Sequence, residues 1–230
     1  MNKVWAFGSS HTAGSELGNQ YGPEGTKQWL LKHTGQDSID VFNSMKDKKV
    51  HKIQEKWMRD INYLATPELA YTGQICKKLN YELKCYAEPG GSFDRAFYFL
   101  DKNKDNIDWT NDIVIVELTP VMRYMTSPQS RDFMFAWLPN YHALKNAPFH
   151  QSMLNWYKGL ILRIRTEFPK VKLIAIQDSD TDLDVMQISN ADKCLMDIAW
   201  ENYNSFRYVC RHYGEPAHED FANYLIDNVL

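Results

Sequence analysis

The stretch DIVIVEL, residues 112–118, constrains the fold of this chain more than any other segment. Ile113, Val114, Ile115 and Val116 are consecutive β-branched residues, which favour an extended strand. A nearly continuous apolar run is typical of a strand in a parallel sheet, because helices cover both faces of such a sheet. The segment therefore predicts an α/β fold with a buried sheet.

Other apolar runs alternate with helical patterns along the chain. Strands are expected at Val4–Phe7, ELKCYAE (82–88), VKLIAIQ (171–177) and FRYVC (206–210). One helix is expected to begin after Thr66, as the N-cap, with Pro67 as its first residue. Further helices are expected at residues 94–100, 152–168 and 217–229. The alternation predicts one three-layer α/β domain over residues 1–230, with insertions at residues 15–65 and 120–150.

Composition and charge exclude several functional classes. A net charge of −3 and a pI of about 6.2 give no basic field for nucleic acid or an anionic membrane. No apolar stretch approaches the ~18 residues of a membrane span. The run Val4–Phe7 is too short for a signal peptide, so we expect a protein made in the cytoplasm. The cysteines, which lack zinc-ligand spacing and are therefore expected to be reduced thiols, are Cys76, Cys85, Cys194 and Cys210.

The carboxyl ends of parallel strands meet at one edge of a sheet, where ligands bind. Residues 8–12, 89–92, 119–124 and the segment from residue 178 onward are expected at that edge. The aromatic insertion that follows residue 118 is either a lid or partner surface over it, or a loop packed against the domain. Four aspartates between residues 178 and 184 do not form an EF-hand, and they indicate either an acidic surface loop or a spare catalytic acid.

The segment FGSSHTAG, residues 7–14, follows the first predicted strand directly. It lacks the Lys-Ser/Thr pair of a P-loop, the three glycines of a dinucleotide fingerprint, and the second glycine of the G-x-S-x-G elbow. A serine just past a buried strand exposes its hydroxyl at the sheet edge, where backbone N–H groups can stabilise an oxyanion. Ser10 is therefore a candidate nucleophile, and the alternative is a helix cap.

This opening turn resembles the first block of the SGNH (GDSL-like) hydrolases, in which Ser10 matches the nucleophile and Ser9 replaces the usual Asp. The longer Ser-His-Thr-x-Gly form is similar to SGNH-like proteins encoded by tailed bacteriophages. AEPGGSFDR supplies Gly90 and Gly91 where the second block has a glycine that donates to the oxyanion.

The last block resembles the family in spacing, and the third departs from it. In RHYGEPAHEDFANYL, His212 matches the catalytic histidine, and His218 follows at the family's interval. Glu117-Leu118-Thr119-Pro120 replaces the family's Gly-x-Asn-Asp, so Thr119 is the candidate side-chain donor. Val209 stands where the family has its catalytic Asp.

The resemblance implies a flavodoxin-like α/β/α sandwich and a serine esterase or carbohydrate deacetylase. Ser10 and His212 would react with an ester or an acetylated glycan, without a metal or an organic cofactor. Gly90 or Gly91, Thr119 and the Ser10 N–H would hold the oxyanion. The alternative is a non-catalytic phage virion or tail protein on the same scaffold, which binds a glycan or other virion subunits. Each residue taken singly also has a structural interpretation. The two glycines would form only a turn, His212 would be a surface or packing residue, and His218 would anchor the last helix.

Overall fold

The computed structural model describes residues 1–15, 17, 22–36, 48–57, 60, 65–121, 123–125, 127, 133–134, 148–176, 185–201 and 212–230. The strands are β1 (Lys3–Gly8), β2 (Glu82–Ala87), β3 (Ile113–Leu118), β4 (Arg123–Tyr124), β5 (Phe133–Met134) and β6 (Lys172–Ala175). The helices are α1 (Gly22–Thr34), α2 (Lys48–Trp57), α3 (Tyr71–Leu79), α4 (Phe93–Asn103), α5 (Pro148–Glu167), α6 (Val185–Ile188), α7 (Leu195–Glu201) and α8 (Glu215–Asn228), with a 3-10 turn at Lys104–Asn106.

Four of the strands form one parallel sheet in the order β2-β1-β3-β6. The register brings their carboxyl ends to the same level: Gly8 pairs with Ala87, and Leu118 with Ala175. The order is that of the flavodoxin-like doubly wound sheet. The parallel sheet predicted from the sequence is therefore confirmed.

Alternate side chains of the strands pack into two separate cores. Trp5 and Phe7 of β1 lie in one core with α4 and α5. Val4 of β1 and Ile115 of β3 lie in the other, with α3, α7 and α8. Helices therefore cover both faces of the sheet, which confirms the three-layer α/β/α sandwich. None of the described helices has both the length and the apolarity of a membrane-spanning segment.

The prediction that a helix begins at Thr66 and Pro67 is wrong, because α3 begins at Tyr71. The Thr66 N–H donates to the Gly14 carbonyl at 3.1 Å, and the Ala70 N–H closes a turn on the Pro67 carbonyl at 3.2 Å. These bonds hold residues 66–70 against the end of the β1 connection instead of in a helix. The first N–H of α3, that of Tyr71, donates to His218 Nδ1 at 3.2 Å.

Other predicted elements are present with shifted ends or lie outside the described residues. The long helix α5 begins at Pro148, earlier than the predicted Ser152, and α8 begins at Glu215, before Ala217. Within the predicted insertion at 15–65, the structure describes α1, α2 and a few residues outside them. The predicted strand at 206–210 and the aspartates at 178–184 fall outside the described ranges, so both stay predictions, as do the limits of the insertions.

Candidate active site

Residues 9–14, called here the Ser10 turn, form a single helical turn at the carboxyl end of β1. The Ala13 N–H donates to the Ser9 carbonyl at 2.9 Å, and the Ser15 N–H donates to the Ser10 carbonyl at 2.8 Å. Ser10 is 8% exposed. Neither its N–H nor its hydroxyl makes a hydrogen bond to any described residue. Its hydroxyl is therefore not a helix cap, which was the alternative interpretation.

A buried carboxylate lies beneath this turn. Glu117 of β3 is 2% exposed, and it accepts from the Ser9 N–H at 2.7 Å and the Ser9 hydroxyl at 2.5 Å. It also accepts from the Thr12 N–H at 3.3 Å and the Thr12 hydroxyl at 2.7 Å. Sequence reasoning gave Glu117 no functional role. The available signal was its position as a charged residue inside an apolar, buried strand, where a charge needs partners.

Two phenols lie near this carboxylate. The Tyr71 hydroxyl is 2.8 Å from the Thr12 hydroxyl, which itself donates to Glu117. Burial, followed by the negative charge of Glu117, raises the pKa of Tyr71 and of Tyr157 well above the ordinary range. Both phenols therefore stay protonated, and the Tyr71 O–H is free to donate to Thr12.

The structure places His212 beside the Ser10 turn. The ring of His212 packs edge-on against that of His11, the residue after Ser10, with 5.1 Å between the centroids. Tyr213 also contacts His11, at 5.6 Å between centroids. Sequence reasoning gave His11 no catalytic role. The chain thus brings together two residues that are about two hundred positions apart in sequence.

His218 is an anchor for the helices rather than a reacting group. It is 1% exposed, its Nδ1 accepts from the Tyr71 N–H at 3.2 Å, and it is hydrogen-bonded to the backbone of Tyr213. Burial, with a smaller effect of the His212 charge, lowers the pKa of His218 to about 3. The neutral ring joins the start of α3 to α8.

The two candidate glycines after β2 have different roles. The Gly91 N–H donates to the Glu88 carbonyl at 2.9 Å and closes the turn, so that group is already used. The Gly90 N–H makes no hydrogen bond to a described residue, and Gly90 has a φ of +81°. Of the two, Gly90 is the one whose N–H can donate to a ligand in this geometry.

Thr119 follows β3 directly and is 2% exposed. Its carbonyl accepts from the Tyr157 hydroxyl of α5 at 2.7 Å, which fixes the backbone at this point. Its own hydroxyl is buried and makes no hydrogen bond within the described part of the chain. A buried hydroxyl of this kind can donate to a ligand that enters the site.

The start of α4 ties the segment after β3 to the Gly90 turn. The Arg95 guanidinium, almost fully buried, forms an ion pair with Glu88 at 2.9 Å and donates to the Ser127 carbonyl at 3.1 Å. Asp94 accepts from the Met125 N–H at 2.7 Å. The beginning of the predicted insertion at 120–150 is therefore held against the sheet edge that carries the candidate site.

Not every element of a catalytic triad is assembled. No hydrogen bond joins the Ser10 hydroxyl to His212 in this structure, although such bonds are often long in enzymes without substrate. Val209, at the position of the expected acid, is outside the described residues. In the described ranges, no three His, Cys, Asp or Glu side chains gather in a way that could hold a metal ion.

The chain matches no protein-family model and no curated protein. It is similar to the solved structure of an acetyl xylan esterase from the rumen bacterium Butyrivibrio proteoclasticus, with a TM-score of 0.49, 12% identity, and coverage of 98% of this chain and 62% of that one. A family two carbohydrate esterase from Clostridium thermocellum, in complex with cellohexaose, gives a TM-score of 0.45, 13% identity, and coverage of 98% and 62%. A putative lipolytic protein of the G-D-S-L family from Desulfitobacterium hafniense gives 0.39, 10%, and 100% of both chains.

The chain spans slightly less than two thirds of the length of the two esterases. At these TM-scores the likeness assigns neither an activity nor a site to this chain. A reaction can therefore be inferred only from the residues of the chain itself.

Proposed function

We propose that this protein is a serine hydrolase of the SGNH type that cleaves ester bonds. The observation that carries the proposal is a set of unused groups at one edge of the sheet. The Ser10 hydroxyl and N–H, the Gly90 N–H and the Thr119 hydroxyl make no hydrogen bond to a described residue. They follow β1, β2 and β3, whose carboxyl ends are in register, and His212 lies against the same turn.

In this proposal, the Ser10 oxygen attacks the carbonyl carbon of the ester while its proton passes to the His212 imidazole. The negative charge that develops on the carbonyl oxygen is held by the N–H groups of Ser10 and Gly90 and by the Thr119 hydroxyl. Collapse of the tetrahedral intermediate breaks the C–O bond, and the leaving alkoxide takes the proton from His212. Water, deprotonated by His212, then attacks the acyl-Ser10; the bond to the Ser10 oxygen breaks, His212 returns the proton to that oxygen, and the carboxylic acid leaves.

The proposed substrates are esters, with acetylated carbohydrates as the first class to test. This choice rests on the sequence resemblance of the Ser10 and His212 blocks to SGNH hydrolases, which include esterases and carbohydrate deacetylases.

Two observations favour a second candidate function, a non-catalytic binding protein on the same scaffold. The Ser10–His212 hydrogen bond is not formed, and the third motif block carries Glu117 and Thr119 in place of Gly-x-Asn-Asp. Such a protein would bind a glycan or other subunits of a phage particle. The phage association rests on the resemblance of the Ser10 turn alone.

Hydrolysis of p-nitrophenyl acetate distinguishes the two functions. The wild type is expected to hydrolyse it, and Ser10→Ala should lower kcat/KM by at least about 10³-fold, since the nucleophile is lost. Ser15→Ala is the matched control: Ser15 is another buried serine near the same turn, whose hydroxyl makes no hydrogen bond in the described part of the chain. It should retain wild-type activity. Equal rates for wild type and Ser10→Ala would favour the binding protein.

A further inference from the structure

We infer that Glu117 is the positioning residue for the nucleophile, because it holds the Ser10 turn in its reactive geometry. The inference rests on the proposed function, and it goes beyond it by assigning a role to a residue outside the reacting groups.

The contacts of the carboxylate lie on either side of Ser10. One oxygen, Oε1, accepts from the Ser9 hydroxyl, and the other, Oε2, accepts from the Ser9 N–H and from both donors of Thr12. Residues 9 and 12 are thus bound to the same side chain, and Ser10 lies between them. The N–H and hydroxyl groups of Ser9 and Thr12 therefore all donate to Glu117. The N–H and hydroxyl of Ser10 make no hydrogen bond to a described residue.

The carboxylate is fixed from the strand side as well. Glu117 is on β3, which has hydrogen-bonded neighbours on both sides in the sheet. A Cβ added to Gly8, the last residue of β1, would lie 2.6 Å from the Cβ and from Oε2 of Glu117, and 2.8 Å from the Thr12 hydroxyl oxygen. The Glu117 side chain therefore occupies the space beside Gly8, and β1 has to end in a glycine for the turn to close over the carboxylate.

The charge has no cationic partner among the described residues: no ion pair of Glu117 with a lysine, arginine or histidine is present there. A buried carboxylate is tolerated when hydrogen-bond donors satisfy it. Here the donors come from the turn, and the Thr12 hydroxyl is supported in turn by Tyr71. The hydrogen bonds that offset the burial of the charge are therefore the same bonds that fix the turn.

This arrangement predicts different effects for two substitutions of Glu117. Glu117→Gln keeps the shape, and its amide oxygen can take the place of Oε2 while its NH₂ group donates to the Ser9 hydroxyl, which can accept as well as donate. We expect Glu117→Gln to retain kcat within about 10-fold of the wild type. Glu117→Met fills the space but accepts no hydrogen bonds, so the turn loses its anchor. Because a misplacement of about 1 Å can cost ~10²-fold, we expect its kcat to fall by at least about 100-fold.

Asp112→Leu is the matched control at the opposite end of β3. In the wild type, the Asp112 carboxylate also ties β3 to β1, because it accepts from the Lys3 N–H at 2.8 Å and from the Trp5 indole N–H at 2.8 Å. The Asp112→Leu variant should lose stability and keep the wild-type kcat. Ser9→Ala serves as the second variant, since it removes only the bond to Oε1. We expect its kcat to fall about 10-fold with KM within about 3-fold of the wild type.

The experiment measures kcat and KM for p-nitrophenyl acetate, at a temperature where circular dichroism shows each variant folded. A large loss of kcat in Glu117→Met, with KM nearly unchanged and recovery in Glu117→Gln, supports the inference. If the wild type is active and Glu117→Met has the same kcat as Asp112→Leu, this inference is overturned and the proposed function is not. If Glu117→Met does not fold, the kcat of Ser9→Ala decides, and a wild-type value there overturns the inference. A folded wild type with no Ser10-dependent hydrolysis overturns the proposed function, and this inference with it.

Discussion

Glu117 and Ser9 are joined by two hydrogen bonds, one from the Ser9 N–H at 2.7 Å and one from its hydroxyl at 2.5 Å. SGNH hydrolases, which the turn resembles, have an Asp at the position of Ser9. This chain instead carries a hydroxyl on the turn and the carboxylate on the neighbouring strand. Two of the departures from the motif, at residues 9 and 117, are therefore partners in one contact.

Thr119→Val tests the side-chain donor. The change replaces a hydroxyl by a methyl group of nearly the same size, so an oxyanion would lose one donor and kcat should fall by about 10²–10³-fold. Because the hydroxyl makes no hydrogen bond in the described part of the protein, the free energy of unfolding should not fall by more than about 1 kcal/mol. Kinetics and urea denaturation measure the two effects separately.

Thr72→Val provides the control for that experiment. Thr72 lies on α3, is fully buried, and also has a hydroxyl without a hydrogen bond in the described residues. It should match Thr119→Val in stability and keep wild-type kcat. Wild-type kcat in Thr119→Val would remove Thr119 from the oxyanion site.

The pair Gly90→Ala and Gly91→Ala separates the two glycines. A Cβ on Gly91 would lie 2.7 Å from the Gly8 carbonyl oxygen, so the end of β1 has to shift. Gly90 meets nothing within 4 Å, but its φ of +81° makes an alanine strained by about 1–2 kcal/mol. We expect both variants to lose stability and Gly91→Ala to lose more activity, since it displaces the base of the Ser10 turn. Similar kcat values in the two variants would contradict the expectation that the close approach of Gly91 to Gly8 supports the Ser10 turn.

His218 predicts a component of acid sensitivity. Its pKa of about 3 in the folded protein lies below its ordinary value of 6.5, so the unfolded chain binds more protons between these two pH values. The stabilising contribution is complete above about pH 6.5 and is lost as the pH falls towards 3, with a slope of about 1.4 kcal/mol per pH unit. His218→Gln removes the titration. The difference in free energy of unfolding between wild type and variant should shrink from pH 7 to pH 4, and a constant difference would contradict the prediction.

The described cysteines are free thiols and are expected to be unreactive in the folded protein. Burial is the main cause that raises the pKa of Cys76 to about 12, and of Cys85 and Cys194 to about 11. At pH 8, a thiol of pKa 11 is ionised in about one molecule in a thousand, so alkylation is slow. Peptide mapping after iodoacetamide treatment should find these thiols unmodified in native protein and alkylated after unfolding in urea. Rapid native alkylation at any of them would contradict the raised pKa values of these thiols.

The sheet could be predicted from the sequence because most of its strands contain short apolar runs, a signal that depends only on residues close together in the chain. The β-branched run of β3 and the apolar run of β1 needed no long-range information. The start of α3 could not be predicted in the same way. Thr66 and Pro67 carry the local signal of a helix start, but their backbone is bound to Gly14 instead, which is a tertiary contact.

The candidate site was predictable only in part for the same reason. The spacing of the motif blocks pointed to Ser10 and His212 through a family resemblance, and the structure brings His212 to the Ser10 turn. The support for that turn was not predictable. Glu117 is more than a hundred positions away from Ser9, and its role depends on the pairing of β1 with β3.

The most direct test of the central claim is the site of covalent labelling by a fluorophosphonate. The probe forms a bond to a serine oxygen that is activated by a base and held near an oxyanion site. Mass spectrometry of the labelled wild type should place a single adduct on Ser10, with no adduct in Ser10→Ala and much slower labelling in His212→Asn. A folded wild type that takes up no probe, or a label that persists in Ser10→Ala, would contradict the assignment of Ser10 as the nucleophile.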